Sequence, residues 1–224
     1  MSGTPRDLVV LTADGNAEHG VRALLGRTAA LGIRDVDVES YVHPERDPGC
    51  LRRCQEFLRP QLKRFAHALV IFDREGCGDE RPRAELEADV EVRLAANGWR
   101  DRSAAIVVDP EFDAWVWSPS PNVDAVLGWS GRSPALRSWL ETAGFLESGA
   151  TKPARPKEAM QSAVEFVGLA RSSARYAELA EKVSLAGCTD ASFLKFVATL
   201  KAWFPGAQRA TPPPQTDSQE TGGV

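Results

Sequence analysis

Apolar runs of strand length alternate with helical patterns over the first half of the chain. Four runs rich in Val, Ile and Leu are each followed by polar residues, and the segments between them place apolar residues three or four positions apart. The predicted strands cover residues 8–13, 36–42, 68–72 and 104–108. The second run alternates with polar residues, so we expect it to be an outer strand. This alternation predicts an α/β fold with a parallel sheet of about four strands flanked by helices.

The connecting helices have recognisable start and stop residues. Asn16 is a plausible N-cap for the first helix, Gly32 is its expected stop, and Pro60 is expected to bend or divide the second. The predicted helices cover residues 17–31, 51–65 and 82–97.

Helical patterns alone follow the fourth strand. The short helices predicted there cover residues 114–117, 123–127, 134–143, 157–169, 176–184 and 191–203. The last residues contain three consecutive prolines followed by Gln, Thr, Ser and Gly, without apolar periodicity. We therefore expect an α/β domain over 1–113, an all-helical extension packed on it over 114–204, and a disordered tail over 205–224.

Composition narrows the class of protein. The chain has 224 residues, 43% of them hydrophobic, and a formal net charge of −4, which argues against bulk electrostatic coating of nucleic acid but allows a local basic surface. No apolar run approaches the roughly 20 residues of a membrane helix. Four cysteines without a C-x-x-C pair favour reduced thiols. We expect a cytoplasmic protein without a membrane partner.

Carboxylates follow three of the predicted strands. Asp14 follows the first strand, Asp73 and Glu75 follow the third, and Asp113 lies shortly after the fourth. Ligands of open α/β sheets bind outside the carboxyl ends of the strands, so these side chains are expected to converge. Carboxylate oxygens suit Mg²⁺ or Mn²⁺. The alternative is that each acid caps a helix or closes a turn.

Two of these segments resemble a known family. The strand that leads into Asp14-Gly15 and a helix, and the later strand that ends in Asp73-Arg74-Glu75, look like a TOPRIM domain, the metal-binding α/β module of topoisomerases, primases and OLD-type nucleases. The chain is most similar to small TOPRIM-like bacterial proteins. Three later segments support this resemblance, which covers most of residues 8–203: 111–115, 152–157 and 192–196.

The resemblance implies metal-dependent cleavage or joining of phosphodiesters. It implies that Asp14 acts as general base or ligand, with Glu18 one helical turn further as a stand-in, and that Asp73 and Glu75 hold Mg²⁺ or Mn²⁺. Asp73 is also a candidate catalytic residue, and Asp113 is a candidate further metal ligand. The family implies a phage-defence context, with a partner protein such as an ATPase.

Basic residues provide candidate contacts to DNA or RNA. Arg52, Arg59 and Lys63 share a face of the second predicted helix, and Lys152 and Lys157 belong to a proline-containing run before a later helix. The alternatives are a solvated helix face and a solvated linker. Trp115 and Trp117 are expected to pack the extension against the sheet.

Two functions from different classes remain open at this point. One is a metal-dependent nuclease-like enzyme. The other is a non-catalytic interaction subunit of a defence complex or an ATPase-containing complex, in which the acidic crevice is structural. A flavodoxin-like or receiver-like signalling domain would need a Lys and a Ser or Thr at later strand ends, which the sequence after Val108 does not offer.

Overall fold

A computed structural model describes residues 4–117 and 120–206. These residues form one parallel sheet with the strand order β2-β1-β3-β4. Its strands are β1 (Arg6–Thr12), β2 (Val38–Val42), β3 (Phe65–Asp73) and β4 (Ser103–Val108). The α-helices are α1 (Gly15–Leu25), α2 (Thr28–Leu31), α3 (Arg46–Leu58), α4 (Arg83–Leu94), α5 (Asp113–Val116), α6 (Pro121–Val126), α7 (Leu136–Thr142), α8 (Pro156–Phe166), α9 (Ser173–Lys182) and α10 (Ala191–Trp203). The predicted α/β class, with a four-stranded parallel sheet and a helical C-terminal part, is confirmed.

The strand register brings the carboxyl ends together. Thr12 at the end of β1 pairs with Ile71 in β3 and with Val42 at the end of β2. Asp73, the last residue of β3, pairs with Val108, the last residue of β4. All four strands therefore end at one edge, as a parallel sheet requires. β2 lies at the side of the sheet and its residues are only partly buried or exposed, as predicted.

The two faces of the sheet bury alternate residues of each strand. Val9, Val70 and Val107 face α3 and α4. Their sequence neighbours Leu8, Val10, Leu69 and Ile106 belong to a second cluster that includes α1 and most of the C-terminal helices. Both faces are thus covered, which explains why β1, β3 and β4 are apolar at most positions, unlike β2.

Two tryptophans attach the helical extension to the sheet. Trp115 donates an Nε1–H hydrogen bond to Ser192 Oγ at 2.8 Å, and Trp117 donates one to the Pro156 carbonyl at 2.9 Å. Both indoles are buried. Each of these two N–H groups finds its acceptor on a later helix, and both indoles pack in the apolar cluster that covers one face of the sheet. The packing role predicted for both residues is confirmed.

The first helix differs from the prediction in its start and its continuity. Asp14, not Asn16, is the N-cap, because its carboxylate accepts the Ala17 N–H. Asn16 instead accepts a hydrogen bond from Ser173 Oγ at 2.9 Å. The predicted single helix over 17–31 is divided into α1 and α2. Gly32 ends α2 at φ +70°, which confirms the predicted stop.

The second predicted helix starts earlier and ends sooner than periodicity indicated. α3 begins at Arg46, five residues before the first apolar position of the predicted helix, and ends at Leu58. A 3-10 turn, Arg59–Gln61, follows it. Pro60 lies in that turn, so the predicted division of the helix at this proline is confirmed. A short helical segment, Ala95–Trp99, follows α4, and Gly98 at φ +96° interrupts its helical geometry.

The described C-terminal end lies against α2. Pro205 forms an antiparallel bridge with Ile33. The remainder of the predicted tail, residues 207–224, lies outside the described residues. Within residues 4–117 and 120–206, no helix is both long enough and apolar enough to cross a membrane.

Candidate functional site

A cavity of about 550 Å³ opens at the carboxyl end of the sheet. Acidic and basic side chains dominate its wall, together with Gly76, Gln161 and Ser162. The acids are Asp14, Asp47, Asp73, Glu75, Glu111 and Glu158, and the cations are Arg46, Lys157 and Arg171. Three of the four metal ligands predicted from the sequence, namely Asp14, Asp73 and Glu75, therefore meet at one cavity.

Asp14 serves the local fold and the cavity at once. Its Oδ1 accepts the Ala17 N–H at 2.9 Å, so the capping role left open by the sequence is confirmed. The residue also lines the cavity and remains partly exposed. A cap needs one carboxylate oxygen, which leaves the other for a ligand.

Asp47 and Asp73 are connected by a hydrogen bond and by the repulsion between their charges. Asp47 Oδ1 accepts the Asp73 N–H at 2.8 Å, and Asp73 Oδ1 accepts the Phe112 N–H at 2.8 Å. Burial raises the pKa of Asp73 well above its ordinary value, and the negative charge of Asp47 raises it further. Burial likewise raises the pKa of Asp47. Two desolvated carboxylates with raised pKa values are typical of a functional site.

Asp47 is not among the site residues predicted from the sequence. The residue lies in the first turn of α3, which contains no apolar side chain, and the helical pattern becomes visible only at Leu51. One signal was present, because an acid followed by Pro48 is common at the start of a helix. That signal would have placed an acid after β2, the one strand without a predicted acid, at the same edge of the sheet.

Glu111 pairs with the start of α8. Its carboxylate accepts the Lys157 N–H at 2.9 Å, and Lys157 Nζ lies 3.5 Å from its other oxygen. Burial raises the pKa of Glu111, and Asp113 adds to the increase. Lys157, which was predicted to contact nucleic acid, thus lines the cavity while bound to a carboxylate.

Asp113 is held by protein groups. Tyr176 donates its hydroxyl hydrogen to Asp113 Oδ1 at 2.5 Å, and Arg171 Nη2 lies 3.2 Å from Oδ2. The residue is only 3% exposed. Burial raises the pKa of its carboxyl, and the Arg171 charge opposes that increase. The structure therefore places the predicted fourth ligand in an internal ion pair with Arg171, in the segment before α9, and in a hydrogen bond with Tyr176 of α9.

Glu18 is turned toward β2. Its carboxylate accepts the Ser40 hydroxyl at 2.7 Å, and it is not among the residues that line the cavity. The predicted acidic stand-in is thus separate from the other acids. Arg74, between Asp73 and Glu75, donates to the Glu80 carbonyl at 2.9 Å and lies 3.6 Å from Asp109.

Most of the predicted nucleic-acid contacts lie elsewhere. Arg52 donates to the Gly78 carbonyl at 2.9 Å, while Arg59 and Lys63 are exposed beyond the end of α3. None of these three residues lines the cavity. Lys152 lines a different cavity, beside Trp115 and Trp117.

The carboxylates of the cavity suit a hard cation such as Mg²⁺, but they do not form a complete ligand cage. In the part of the chain that the structure describes, no three His, Cys, Asp or Glu side chains are arranged to hold a metal ion. Mg²⁺ needs less than that, because it keeps several waters and is often held by one or two carboxylates together with substrate phosphate. The like-charged pair of Asp47 and Asp73 is the part of the wall that a divalent cation would relieve most.

Comparisons with known proteins add no relative. No protein-family model, no curated protein and no solved structure matches this chain.

Proposed function

We propose that this chain is a divalent-metal-dependent, nuclease-like enzyme that acts on phosphodiester bonds at the carboxyl end of its sheet. The observation that supports this most strongly is the grouping of Asp14, Asp47 and Asp73. They come from three separate elements and line one open cavity, and the charges of Asp47 and Asp14 add to the burial that raises the pKa of Asp73. Folding alone does not call for such a grouping, because like charges in a desolvated wall are destabilising.

A cation would be held by these carboxylates. Asp14, Asp73 and Glu75 are the ligands proposed from the sequence, and Asp47 joins them as an addition from the structure. When bound, Mg²⁺ or Mn²⁺ supplies an activated water and neutralises charge on a phosphoryl group. The same acids would otherwise repel a phosphate, so the metal dependence follows from the charge of the wall.

The basic side chains of the cavity supply the complementary half of the site. Lys157 and Arg171 lie among the acids and are oriented by Glu111 and Asp113. Fixed in this way, the ammonium and guanidinium groups offset part of the negative charge that an approaching phosphate meets. In this proposal the helical extension contributes to the site, since both cations belong to it. The resemblance to TOPRIM-like proteins adds the proposal of a role in bacterial defence, with DNA or RNA as substrate.

One set of contacts favours a second candidate function. Asp113 is satisfied by Arg171 and Tyr176, and Asp73 accepts the Phe112 N–H, so these acids also hold the fold together. A non-catalytic subunit of a defence complex or an ATPase-containing complex would keep such contacts without binding metal. The two functions differ in their response to a divalent cation.

Thermal unfolding in increasing MgCl₂ or MnCl₂ tests the proposal, with Asp14→Asn as the variant. Asparagine caps a helix about as well as aspartate, so this change removes the charge and keeps the cap. We expect the metal to raise the unfolding midpoint of the wild type. A ligand at about 100 times its dissociation constant adds about 2.7 kcal/mol to the free energy of unfolding. The variant should lose most of this gain.

Asp35→Asn is the matched control. It makes the same charge change at an exposed position before β2, at the opposite edge of the sheet. Its midpoint should rise with metal as the wild type does. A wild type whose midpoint is unchanged by either metal would exclude the enzyme and leave the interaction subunit.

A further inference from the structure

We infer that Arg46 is the phosphate-contacting residue of the cavity, and that the ligand is engaged there through a single phosphate group rather than along a stretch of backbone. This inference rests on the proposed function. Arg46 was not singled out by the sequence, because it lies in a polar segment with both Glu45 and Asp47 beside it.

The other two cations of the cavity already have carboxylate partners. Lys157 is paired with Glu111, and Arg171 is paired with Asp113. Arg46 lines the same cavity and is exposed, and within residues 4–117 and 120–206 its guanidinium has no ion pair or hydrogen bond. Its five N–H donors are therefore available to an oxyanion, and a guanidinium binds phosphate in a bidentate manner.

The backbone of Arg46 supports a functional position. Its φ is +53°, in the left-handed region that residues other than glycine rarely adopt. The strain is maintained by its surroundings, since the Arg46 N–H donates to the His43 carbonyl and the ring of His43 packs closely on Gly49. Residues held in this way are found mainly at binding and catalytic sites.

The number of available cations limits the kind of ligand. Six acids and three cations line the cavity, and two of those cations are committed to acids. A protein that follows a polynucleotide backbone needs a row of free basic residues. Arg52, Arg59 and Lys63 do not line this cavity. The wall can therefore bind one phosphate through Arg46, as at a strand end or a short oligonucleotide.

Binding of a fluorescein-labelled oligothymidylate of about ten nucleotides tests the inference. Fluorescence anisotropy is measured with Ca²⁺ as the divalent ion, between about 50 and 200 mM KCl. Each phosphate contact on a single strand contributes about −0.7 to the slope of log K against log salt. We expect a wild-type slope near −0.7. Arg46→Gly should weaken binding at least about tenfold and bring the slope close to zero, as loss of one charge-assisted contact predicts.

Glycine is the appropriate replacement because it accepts a positive φ without strain, so the variant should fold. Arg100→Gly is the matched control: Arg100 is exposed at the amino-terminal edge of the sheet, before β4. It should bind as the wild type does. A folded Arg46→Gly protein with wild-type affinity would overturn the inference. So would a slope of several units that Arg59→Gly reduces, or a wild type that binds metal but no oligonucleotide. In all three cases, a wild type that Mg²⁺ still stabilises against thermal unfolding would leave the proposed function standing and remove only this inference.

Discussion

Replacing Asp73 by asparagine is expected to lower metal-dependent phosphodiester hydrolysis about a thousandfold, equivalent to roughly 4 kcal/mol of lost transition-state stabilisation. Asparagine keeps the oxygen that accepts the Phe112 N–H but carries no charge for a metal. Hydrolysis of bis(p-nitrophenyl) phosphate in MgCl₂ or MnCl₂ gives the rate. A variant rate within tenfold of the wild type would show that Asp73 is not part of the reaction.

The same substitution should stabilise the metal-free protein at neutral pH. The folded-state pKa of Asp73 lies above its ordinary value of 3.8, so the folded state binds this proton more tightly than the unfolded state. The free energy of unfolding is therefore greatest below the unfolded-state pKa and falls as pH rises through the folded-state pKa. Asparagine does not ionise, so the variant avoids this fall in the free energy of unfolding. We expect a gain of roughly 0.5–2 kcal/mol at pH 7, typical of relief at a strained active site.

Denaturant unfolding at several pH values measures this effect. The wild-type curve should fall as pH rises above about 4, and the Asp73→Asn curve should be flatter. Asp101→Asn is the control, because Asp101 is exposed, lies away from the cavity, and has a positive φ that asparagine tolerates. A gain of stability together with a loss of hydrolysis would separate a functional carboxylate from one that only supports the fold.

The parallel sheet and part of the site were predictable for the same reason. Asp14 and Asp73 each follow an apolar run, and in the structure Thr12 pairs with Ile71, two residues before each acid. Register in a parallel sheet therefore brings the two carboxylates to one edge without any long-range information. Glu75 follows from the same argument, because it lies just beyond the end of the same strand.

The partners of the remaining acids could not be read from the chain. Asp113 is bound by Arg171 and Tyr176, which are 58 and 63 residues further along. Which helix of the extension would lie against α5 depends on tertiary packing, and local periodicity does not encode it. The same limit applies to Arg46. Its guanidinium stands out as the cavity cation available to a phosphate only once the carboxylate partners of Lys157 and Arg171 are known.

The missed start of α3 has a different cause. Periodicity detects the buried face of a helix, and the first turn of α3 contains no residue of that face before Gly49 and Cys50. Helix starts are instead marked by capping residues and prolines, which are weaker signals. A side chain in a first helical turn is therefore easily missed, and Asp47 is such a case.

Replacing Glu87 by alanine is expected to lower the free energy of unfolding by about 2–4 kcal/mol, because a buried N–H loses its acceptor and two partly buried cations lose a carboxylate. Within the described part of the chain β4 is the last strand of the sheet, so the N–H groups on its outer side have no strand partner there. Glu87 Oε1 accepts the Val107 N–H at 3.0 Å, and Glu91 accepts the Ala105 N–H at 3.0 Å. Side chains of α4 thus satisfy the edge that another strand would otherwise pair with.

The charge of Glu87 is neutralised from two helices. Arg83 Nη1 lies 2.6 Å from Oε1, and Lys195 Nζ of α10 lies 3.2 Å from Oε2. The Glu87 side chain is only 5% exposed. Alanine would leave a buried N–H without an acceptor and two cations without this carboxylate.

Thermal or denaturant unfolding of Glu87→Ala measures the loss, which corresponds to roughly 10 °C in midpoint for a chain of this size. The free energy of unfolding of Glu87→Gln should lie between those of Glu87→Ala and the wild type, because the amide oxygen can still accept the Val107 N–H. Glu85→Ala, at an exposed position of the same helix, should change the free energy of unfolding by less than about 0.5 kcal/mol.

If Glu87→Ala were as stable as Glu85→Ala, the outer edge of β4 would not depend on this side chain. Because Lys195 connects the same carboxylate to α10, the loss should also loosen the helical extension, which contributes Lys157 and Arg171 to the cavity.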